Sequence, residues 1–281
     1  MSQASSPQPP ENRAIVVFDI DGVIRDVGGS YRRALADTVE QWTGFRPTSE
    51  DIDRLKAEGT WNNDWEASQE LIYRYWETQG KGRSTVDLDY EAIVAFFQSR
   101  YRGEDPHNPQ HWTGYICQEP LLASSEYFQG LDEAGMLWGF FSGATRGSAT
   151  YILERRLGLQ APVLVAMEDA PGKPDPTGLL AAVAQLEAEA TDGAALPVFY
   201  AGDTVADLYT VREAAQMRPE RRWIGVGVLP PHVRETPQRQ ANYAALLEKA
   251  GAATVLTNIE ELNGETIGEL LQRQVSTGYG G

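Results

Sequence analysis

Residues that can act as nucleophile, acid, base, cation or metal ligand occur in four short clusters along the chain. Asp19 and Asp21 follow the apolar run AIVVF, and Ser142 follows LWGFF. Lys173 lies in the segment GKPDP, and Asp203 lies in GDTVAD, directly after VFYA. Carboxylates and hydroxyls can attack electrophiles or move protons, a lysine can neutralise negative charge, and carboxylate oxygens bind hard divalent cations. Together the clusters predict an enzyme active site.

Each cluster also has a structural explanation of its own. Asp-x-Asp-Gly is common in turns, Ser142 stands at an ordinary strand exit, and Lys173 fits a solvated loop. Asp203 fits a turn that precedes a helix N-cap. Their joint arrangement argues against chance, because each cluster follows a predicted strand. In open α/β sheets, ligands bind beyond the carboxyl ends of the strands.

The elements that must position these residues alternate regularly along the chain. Short apolar runs predict six buried strands, with helical patterns between most of them. The predicted strands are Ala14–Phe18, Leu137–Phe141, Val163–Met167, Val198–Ala201, Trp223–Val228 and Thr254–Leu256. The predicted helices of this part are Ser124–Ala134, Thr145–Leu157, Thr177–Glu189, Val205–Ala215 and Gln238–Ala250. This alternation predicts an α/β fold with a mainly parallel, Rossmann-like sheet and helices on both faces.

A helical block interrupts this alternation between the first and second predicted strands. Its predicted helices are Ser30–Thr43, Ser49–Glu58, Trp65–Thr78 and Asp89–Arg100, and it contains no strand-like run. We therefore predict an inserted helical domain at residues 28–114. The catalytic core is predicted to comprise residues 14–27 and 115–281, and residues 1–13 form a polar leader that we expect to be disordered.

Charge and composition exclude several classes of partner. The 281 residues include 40 acidic and 24 basic side chains, for a formal net charge of −16. Without a Lys/Arg cluster, we expect neither nucleic acid nor an anionic membrane as a partner. No run of about 18 apolar residues occurs, the first residues do not resemble a signal peptide, and Cys117 is the only cysteine. A cytoplasmic location is expected, and the oligomeric state is left open.

The four clusters, taken in order, resemble the motifs of the haloacid dehalogenase superfamily. They are VVFDIDGVIRD at residues 16–26, GFFSGATR around Ser142, GKPDP at residues 172–176 and GDTVAD at residues 202–207. The resemblance extends from about Ala14 to Leu256. It implies a Rossmann-like catalytic domain, with a helical cap of the C1 type inserted between the first two motifs.

The resemblance also implies a role for each motif residue. Asp19 would attack phosphorus and form an aspartyl-phosphate, and Asp21 would act as general acid and then base. Ser142 and Lys173 would bind the phosphoryl oxygens. The implied Mg²⁺ site consists of Asp19, the backbone carbonyl of Asp21, and Asp203. Three roles are left open for Asp207, the last residue of GDTVAD. It could ligate the metal, contact the metal ligands, or be a carboxylate at the protein surface.

Asp21 narrows the reaction expected of the chain. By this resemblance, dehalogenases and phosphonate-cleaving members lack the second aspartate, so Asp21 favours hydrolysis of a small phosphomonoester. Sugar phosphates and phosphoglycolate-like acids are the expected substrates. DGVIRD also resembles a segment of β-phosphoglucomutase, so a phosphotransferase is the alternative. A metabolite-binding or regulatory protein that retains the fold without turnover is a third hypothesis.

Several residues are candidates for substrate contact. The polar segment Gly59–Trp65 contributes Asn62, Asn63, Asp64 and Trp65, although helix capping and cap packing explain the same residue types. Beside the motifs lie Gly143, Arg25 and Arg146, of which Arg25 is equally explained as solvated surface.

Overall fold

A computed structural model describes residues 14–275, apart from residues 57, 59, 62 and 190–194. The leader expected to be disordered, residues 1–13, lies outside the described residues. By its internal contacts the chain divides into two units. The first unit joins the segment up to Asp26 with the segment from Leu121 onward, and the second spans Val27–Pro120.

The first unit is built on a six-stranded parallel sheet, as the alternation of elements predicts. The strands are β1 (Ala14–Phe18), β2 (Met136–Phe141), β3 (Leu164–Val165), β4 (Val198–Gly202), β5 (Trp223–Val228) and β6 (Thr254–Leu256). Their order across the sheet is β3-β2-β1-β4-β5-β6. The strand β1 therefore lies at the centre, where Phe18 is in register with Phe140 of β2 and Ala201 of β4.

The helices agree with the predicted pattern to within a few residues, with two exceptions. They are α1 (Tyr31–Thr43), α2 (Ser49–Lys56), α3 (Asp64–Thr78), α4 (Tyr90–Tyr101), α5 (Ser125–Glu133), α6 (Arg146–Thr150), α7 (Thr177–Glu189), α8 (Val205–Met217), α9 (Pro237–Ala250) and α10 (Gly264–Val275). The predicted helix Thr145–Leu157 is interrupted, because α6 continues as a π-helical segment, Tyr151–Arg156. The helix α10 was not predicted. Its start is marked by Asn263, whose side chain accepts hydrogen bonds from the backbone amides of Glu265 and Thr266.

The third strand is shorter than its apolar run Val163–Met167 predicts. Directly after β3, the backbone N–H of Ala166 donates to the carboxylate of Asp169 at 2.7 Å, and the N–H of Met167 donates to the carbonyl of Ala144. These bonds turn the chain away from the sheet. Within the described parts of the chain, β3 is an edge strand that pairs with β2 and has no second neighbour to extend it.

The core of the first unit lies on both faces of the central strand. On one face, the ring of Phe18 packs against Phe128 of α5 and Phe140 of β2, with ring centroids 5.8 and 5.9 Å apart. On the other, Ile15 and Val17 belong to a buried cluster that includes Leu179 of α7. Every residue of β1 is fully buried. Full burial of each large apolar side chain stabilises the fold by roughly 1.5–3 kcal/mol. The strand β1 is therefore held firmly in the sheet, which fixes the position of the residues that follow it.

The second unit is helical, with α1 packed against α3 and α4. Tyr31 of α1 stacks on Tyr101 of α4 with ring centroids 4.3 Å apart. The unit extends to Pro120, beyond the expected boundary at residue 114. The extension is held by Tyr115, whose hydroxyl donates to Asp37 of α1 at 2.5 Å. Over the residues described, neither unit has a helix long and apolar enough to span a bilayer.

Candidate active site

Asp19 lies directly after the central strand and is buried. Its Oδ1 accepts a hydrogen bond from the backbone N–H of Ile20 at 2.7 Å. Three residues further on, Gly22 has a φ of +76°, and a Cβ atom there would overlap the carboxylate of Asp203. Glycine is therefore required on two grounds: its backbone lies in the left-handed region, and the carboxylate after β4 packs against it.

Lys173 links the carboxylate of Asp19 to that of Asp207. Its ammonium nitrogen lies 2.9 Å from Oδ1 of Asp19 and 2.6 Å from Oδ1 of Asp207. The lysine side chain is 12% exposed, Asp19 is 9% exposed and Asp207 is fully buried, so the interactions are little weakened by solvent. Two of the three ammonium hydrogens are used in this way, which leaves one for a further acceptor.

Asp207 accepts four hydrogen bonds. Its Oδ1 accepts from Lys173 and from the hydroxyl of Tyr200 at 3.1 Å. Its Oδ2 accepts from the backbone N–H and the hydroxyl of Thr204, at 2.9 and 2.6 Å, in a capping box that begins α8. The surface-carboxylate interpretation of Asp207 is therefore wrong. Because its lone pairs are already used by these donors, Asp207 is better suited to orient its neighbours than to ligate a cation.

Asp203 has the opposite surroundings. It is 9% exposed, yet its carboxylate accepts no hydrogen bond from any residue within the described parts of the chain. Its backbone carbonyl is held by the hydroxyl of Tyr243 at 3.0 Å, which fixes the residue at the end of β4. Carboxylates this buried are normally paired with donors or bound to cations.

The pKa values of Asp19 and Asp203 are raised by burial first and by neighbouring negative charge second. Burial, together with the carboxylates of Asp207 and Asp21, raises the pKa of Asp19 to about 7, although Lys173 acts in the opposite direction. Burial and the nearby Asp207 and Asp19 also raise the pKa of Asp203 well above its ordinary value. Burial alone would lower the pKa of Lys173, but Asp19 and Asp207 raise it, so the ammonium stays charged.

The donor set fits a hard divalent cation. Asp19, Asp203 and Asp207 each offer an oxygen within 4.8 Å of the others, and all three residues are buried. Oxygen ligands of this kind suit Mg²⁺ or Ca²⁺. A bound cation would lower these raised pKa values, because it would stabilise the ionised carboxylates that burial and mutual repulsion disfavour. Asp203 and Asp19 have free oxygen lone pairs for this purpose, whereas those of Asp207 are occupied.

Asp21 is paired with Arg25 in the turn that follows β1. The guanidinium Nε of Arg25 lies 2.6 Å from Oδ1 of Asp21. Arg25 is fully buried, whereas the side chain of Asp21 is 29% exposed. The solvated-surface interpretation of Arg25 is therefore wrong, and its contact with substrate stays a prediction.

Ser142 follows β2, the strand next to β1, and is 1% exposed. Its Oγ accepts a hydrogen bond from the backbone N–H of Ala144 at 3.1 Å, so the hydroxyl hydrogen is left to donate. Gly143 is exposed, and space is open around its α-carbon. Both residues thus lie at the carboxyl edge of the sheet, as predicted.

Arg146 is engaged with acidic groups of its own unit. Its guanidinium pairs with Asp169, and its backbone N–H donates to the carboxylate of Glu168 at 2.9 Å. Substrate contact by this half-exposed side chain stays a prediction, because such a contact would compete with Asp169.

Two of the predicted contact residues of the second unit, Asn63 and Asp64, have structural roles. Asn63 caps α3 by accepting from the backbone N–H of Trp65 at 2.9 Å, and Asp64 pairs with Lys56 at 2.6 Å. Trp65 is half-buried, and Asn62 lies outside the described residues. The capping alternative for Asn63 is thereby observed, and substrate contact by this group stays a prediction.

Sequence reasoning missed Tyr200 and Tyr243, and it considered for Thr204 only the role of a helix N-cap, which the structure shows. Thr204 had a readable signal, since Thr-x-x-Asp at a helix start is the pattern of a capping box. Tyr200 had a weaker one: a tyrosine inside a buried strand needs a partner for its hydroxyl. Tyr243 carried none, because its bond to Asp203 depends on how α9 packs.

Comparison with known proteins agrees with this geometry. The sequence matches the haloacid dehalogenase-like hydrolase family over residues 14–214, well over half of the chain. The chain belongs to that family, and the resemblance predicted from the four motifs is confirmed. A hydrolase is thus the class that the fold, the motifs and the family share.

Three solved structures share the fold. A phosphonoacetaldehyde hydrolase-like protein from Oleispira antarctica is 18% identical, with a TM-score of 0.64 and full coverage of both chains. Phosphatase Tt82 from Thermococcus thioreducens is 21% identical, with a TM-score of 0.56 over 72% of this chain and 88% of that one. CbbY from Rhodobacter sphaeroides, in complex with phosphate, is 15% identical, with a TM-score of 0.58 over 89% and 96%.

One curated relative matches over a long segment. An imidazoleglycerol-phosphate dehydratase from Phytophthora nicotianae is 30% identical over 253 residues, which make up 86% of this chain. The chain spans about half the length of that relative.

Proposed function

We propose that the protein is a Mg²⁺-dependent phosphatase that hydrolyses a small phosphomonoester through an aspartyl-phosphate on Asp19. The observation that carries the proposal is the buried cluster of Asp19, Asp203 and Asp207 around Lys173. Such a cluster repels a phosphate by itself and attracts one once a divalent cation is present. When bound, Mg²⁺ would be held by Asp19, Asp203 and the backbone carbonyl of Asp21, and would offset negative charge on the phosphate.

In the first step, the Asp19 carboxylate attacks the phosphorus atom and forms a new P–O bond. The ester P–O bond breaks, and its electron pair stays on the leaving alkoxide. Asp21, in its protonated form, gives its proton to that oxygen, so the alcohol leaves neutral. Asp19 suits the attack because the backbone N–H of Ile20 and Lys173 hold its Oδ1, which fixes the orientation of the carboxylate.

In the second step, a water molecule attacks the phosphorus of the aspartyl-phosphate. Asp21, now ionised, takes the proton of the water, and the bond between Asp19 and phosphorus breaks. Inorganic phosphate leaves, and both aspartates return to their starting states. The partly exposed side chain of Asp21 is compatible with contact to both alcohol and water.

Two groups are suited to hold the phosphoryl oxygens through both steps. Lys173 has one ammonium hydrogen beyond those directed at Asp19 and Asp207, and the hydroxyl of Ser142 has its hydrogen to donate. Phosphoryl transfer depends mainly on positioning and charge neutralisation, so these contacts should contribute strongly.

Sugar phosphates and phosphoglycolate-like acids are the proposed substrates. Imidazoleglycerol phosphate, which the name of the curated relative contains, joins them as a phosphate ester worth testing. The cytoplasmic location and the absence of nucleic-acid partners remain predictions.

Phosphate release from a panel of these esters, with and without Mg²⁺, tests the proposal. We expect Mg²⁺-dependent release by the natural chain and none by Asp19→Asn. The control is Asp132→Asn, which alters an exposed carboxylate on α5 that binds Trp138 Nε1 at 2.7 Å. Release that persists in Asp19→Asn would contradict the nucleophile. Isomerised sugar phosphate without free phosphate would favour the phosphotransferase, and binding without turnover would favour the regulatory protein.

A further inference from the structure

Tyr200 is a buried polar residue for which the proposed chemistry has no assigned role. It lies in β4 and is fully buried, and its hydroxyl contacts residues at the carboxyl edge of the sheet. Two oxygen atoms lie 3.1 Å from that hydroxyl: Oδ1 of Asp207 and the backbone carbonyl of Phe141. Phe141 ends β2 and directly precedes Ser142.

The position of Tyr200 in the sheet makes this contact a bridge. In the strand order, β1 lies between β2 and β4, and Tyr200 is in register with Val17 of β1. Its side chain therefore spans the strand that leads to Asp19 and reaches the end of the strand beyond it. One phenol links the two strands that flank the nucleophile.

The hydroxyl is suited to be a donor. Burial and the neighbouring Asp207 and Asp19 raise the pKa of Tyr200 well above its ordinary value, so it keeps its hydrogen at neutral pH. The carbonyl of Phe141 and the carboxylate of Asp207 can only accept hydrogen bonds. The single hydroxyl hydrogen of Tyr200 is therefore shared between these two oxygens. Loss of the hydroxyl would leave Oδ1 of Asp207 with Lys173 as its remaining donor.

We propose that Tyr200 is a positioning residue of the phosphoryl-transfer centre: it orients Asp207, and through Asp207 it holds the ammonium of Lys173 against Asp19. The inference rests on the proposed function, which it extends to a residue outside the four motifs. The ammonium lies 5.4 Å from the ring centroids of both Tyr200 and Phe141, so the same two residues also enclose it.

Tyr200→Phe removes the hydroxyl and keeps the ring. We expect kcat and kcat/KM to fall together by about 10- to 100-fold, because the lost interaction orients groups that act in the transition state. KM should change by less than about threefold.

Tyr127→Phe is the matched control. Tyr127 is also a buried tyrosine, and its hydroxyl donates to the backbone carbonyl of Leu262 at 3.0 Å. Both variants should lower the unfolding temperature by similar amounts, whereas only Tyr200→Phe should lower kcat. Equal kinetic effects in the two variants, or a kcat of Tyr200→Phe within twofold of the natural chain, would overturn the proposal.

A double-mutant cycle separates action through Asp207 from a local packing defect. If Tyr200 acts through that carboxylate, Tyr200→Phe should reduce kcat much less in an Asp207→Asn background than in the natural chain. Fully multiplicative losses would contradict the coupling. Absence of phosphate release from the natural chain would instead refute the proposed phosphatase, a different result from an active chain that tolerates Tyr200→Phe.

Discussion

The two units each contain a dense group of charged side chains, and the two groups are organised in opposite ways. In the second unit, Glu70 accepts two hydrogen bonds from Arg83 and one from Arg74, which also binds Glu58. Arg83 extends the network to Glu77 at 2.6 Å. Each carboxylate here has a guanidinium partner, and we call this group the Glu70 network.

The pKa values of the Glu70 network show that its charges are matched. Hydrogen bonds from Arg74 and Trp61 lower the pKa of Glu58 to about 2. Partial burial alone would raise the pKa of Glu70, but Arg83 and Arg74 hold it below its ordinary value. The aspartates around Lys173 behave in reverse, with raised pKa values for Asp19 and Asp203. In the Glu70 network the arginines outweigh the effect of burial on Glu70, whereas around Lys173 burial and like charge outweigh the single lysine.

Replacing the central cation of each group should give the largest contrast. Lys173→Met leaves Asp19 and Asp207 buried without their counter-charge, which should cost about 3–5 kcal/mol of stability. We also expect kcat to fall about 10²–10³-fold. Arg83→Met, in the more exposed network, should cost about 1 kcal/mol or less and leave turnover intact. Urea unfolding and phosphate release measure both; equal costs in the two variants would refute the contrast.

Asp203→Asn should separate activity from stability. The variant loses a proposed cation ligand, so turnover at a fixed Mg²⁺ concentration should fall by about 10²–10³-fold. In EDTA, the same variant should unfold at a higher temperature than the natural chain, because it removes a buried carboxylate that accepts no hydrogen bond within the described residues. Glu70→Gln is the control: it should lower stability and leave turnover unchanged. A lower unfolding temperature of Asp203→Asn in EDTA would contradict the inference that the buried carboxylate of Asp203 destabilises the metal-free protein.

The pH dependence of stability should differ in sign between the two groups. The carboxyl of Asp19 has a pKa of 3.8 before folding and about 7 after it, so the folded state binds more protons between these values. Its contribution should therefore weaken stability progressively as the pH rises from about 4 to 7 in metal-free protein. Folding lowers the pKa of Glu58 from 4.5 to about 2. Its stabilising contribution is therefore lost as the pH falls from about 4.5 to about 2.

Thermal unfolding in EDTA at pH 5 and pH 8 measures the Asp19 part of this prediction. The natural chain should lose more stability between these two values than Asp19→Asn does. The same loss in both proteins would assign the effect to other groups.

The smallest effect is expected at the rim of the Glu70 network. Glu77→Gln removes an exposed partner of Arg83 and should change the free energy of unfolding by about 0.5 kcal/mol or less. In 1 M NaCl the difference should disappear, because exposed charges are screened at that ionic strength. A change that persists in salt would mean that the network is less solvated than its exposed side chains indicate.

Local sequence pattern predicted most of the sheet and the residues at its edge. Apolar runs located β1, β5 and β6 to the residue, and the alternation of strands and helices predicted a mainly parallel sheet. The order of the strands was not predicted and comes from the structure. Residues that directly follow a strand, such as Asp19 and Asp203, are placed at the carboxyl edge by that fact alone. Their location at one edge was thus predicted from the local pattern, whereas their proximity depends on the pairing of β1 with β4 that the structure shows.

Burial and partner choice were not predictable in the same way. Arginine is usually exposed, so nothing in the sequence indicated that Arg25 is buried. Its full burial beside Asp21 depends on how the turn after β1 folds. The carboxylate of Asp207 accepts hydrogen bonds from four donor groups on three residues: Lys173 after β3, Tyr200 in β4, and Thr204 with two groups. Such contacts depend on packing between distant segments, which periodicity does not encode.

The capping box at the start of α8 links folding to assembly of the charged centre. The carboxylate of Asp207 accepts a hydrogen bond from the backbone N–H of Thr204, the N-cap residue of α8, and the same carboxylate accepts one from Lys173. Fraying of that first turn would therefore release the lysine as well. Amide hydrogens at the start of α8 should then exchange with solvent in step with the opening of the centre, so one helix terminus reports on the integrity of the whole site.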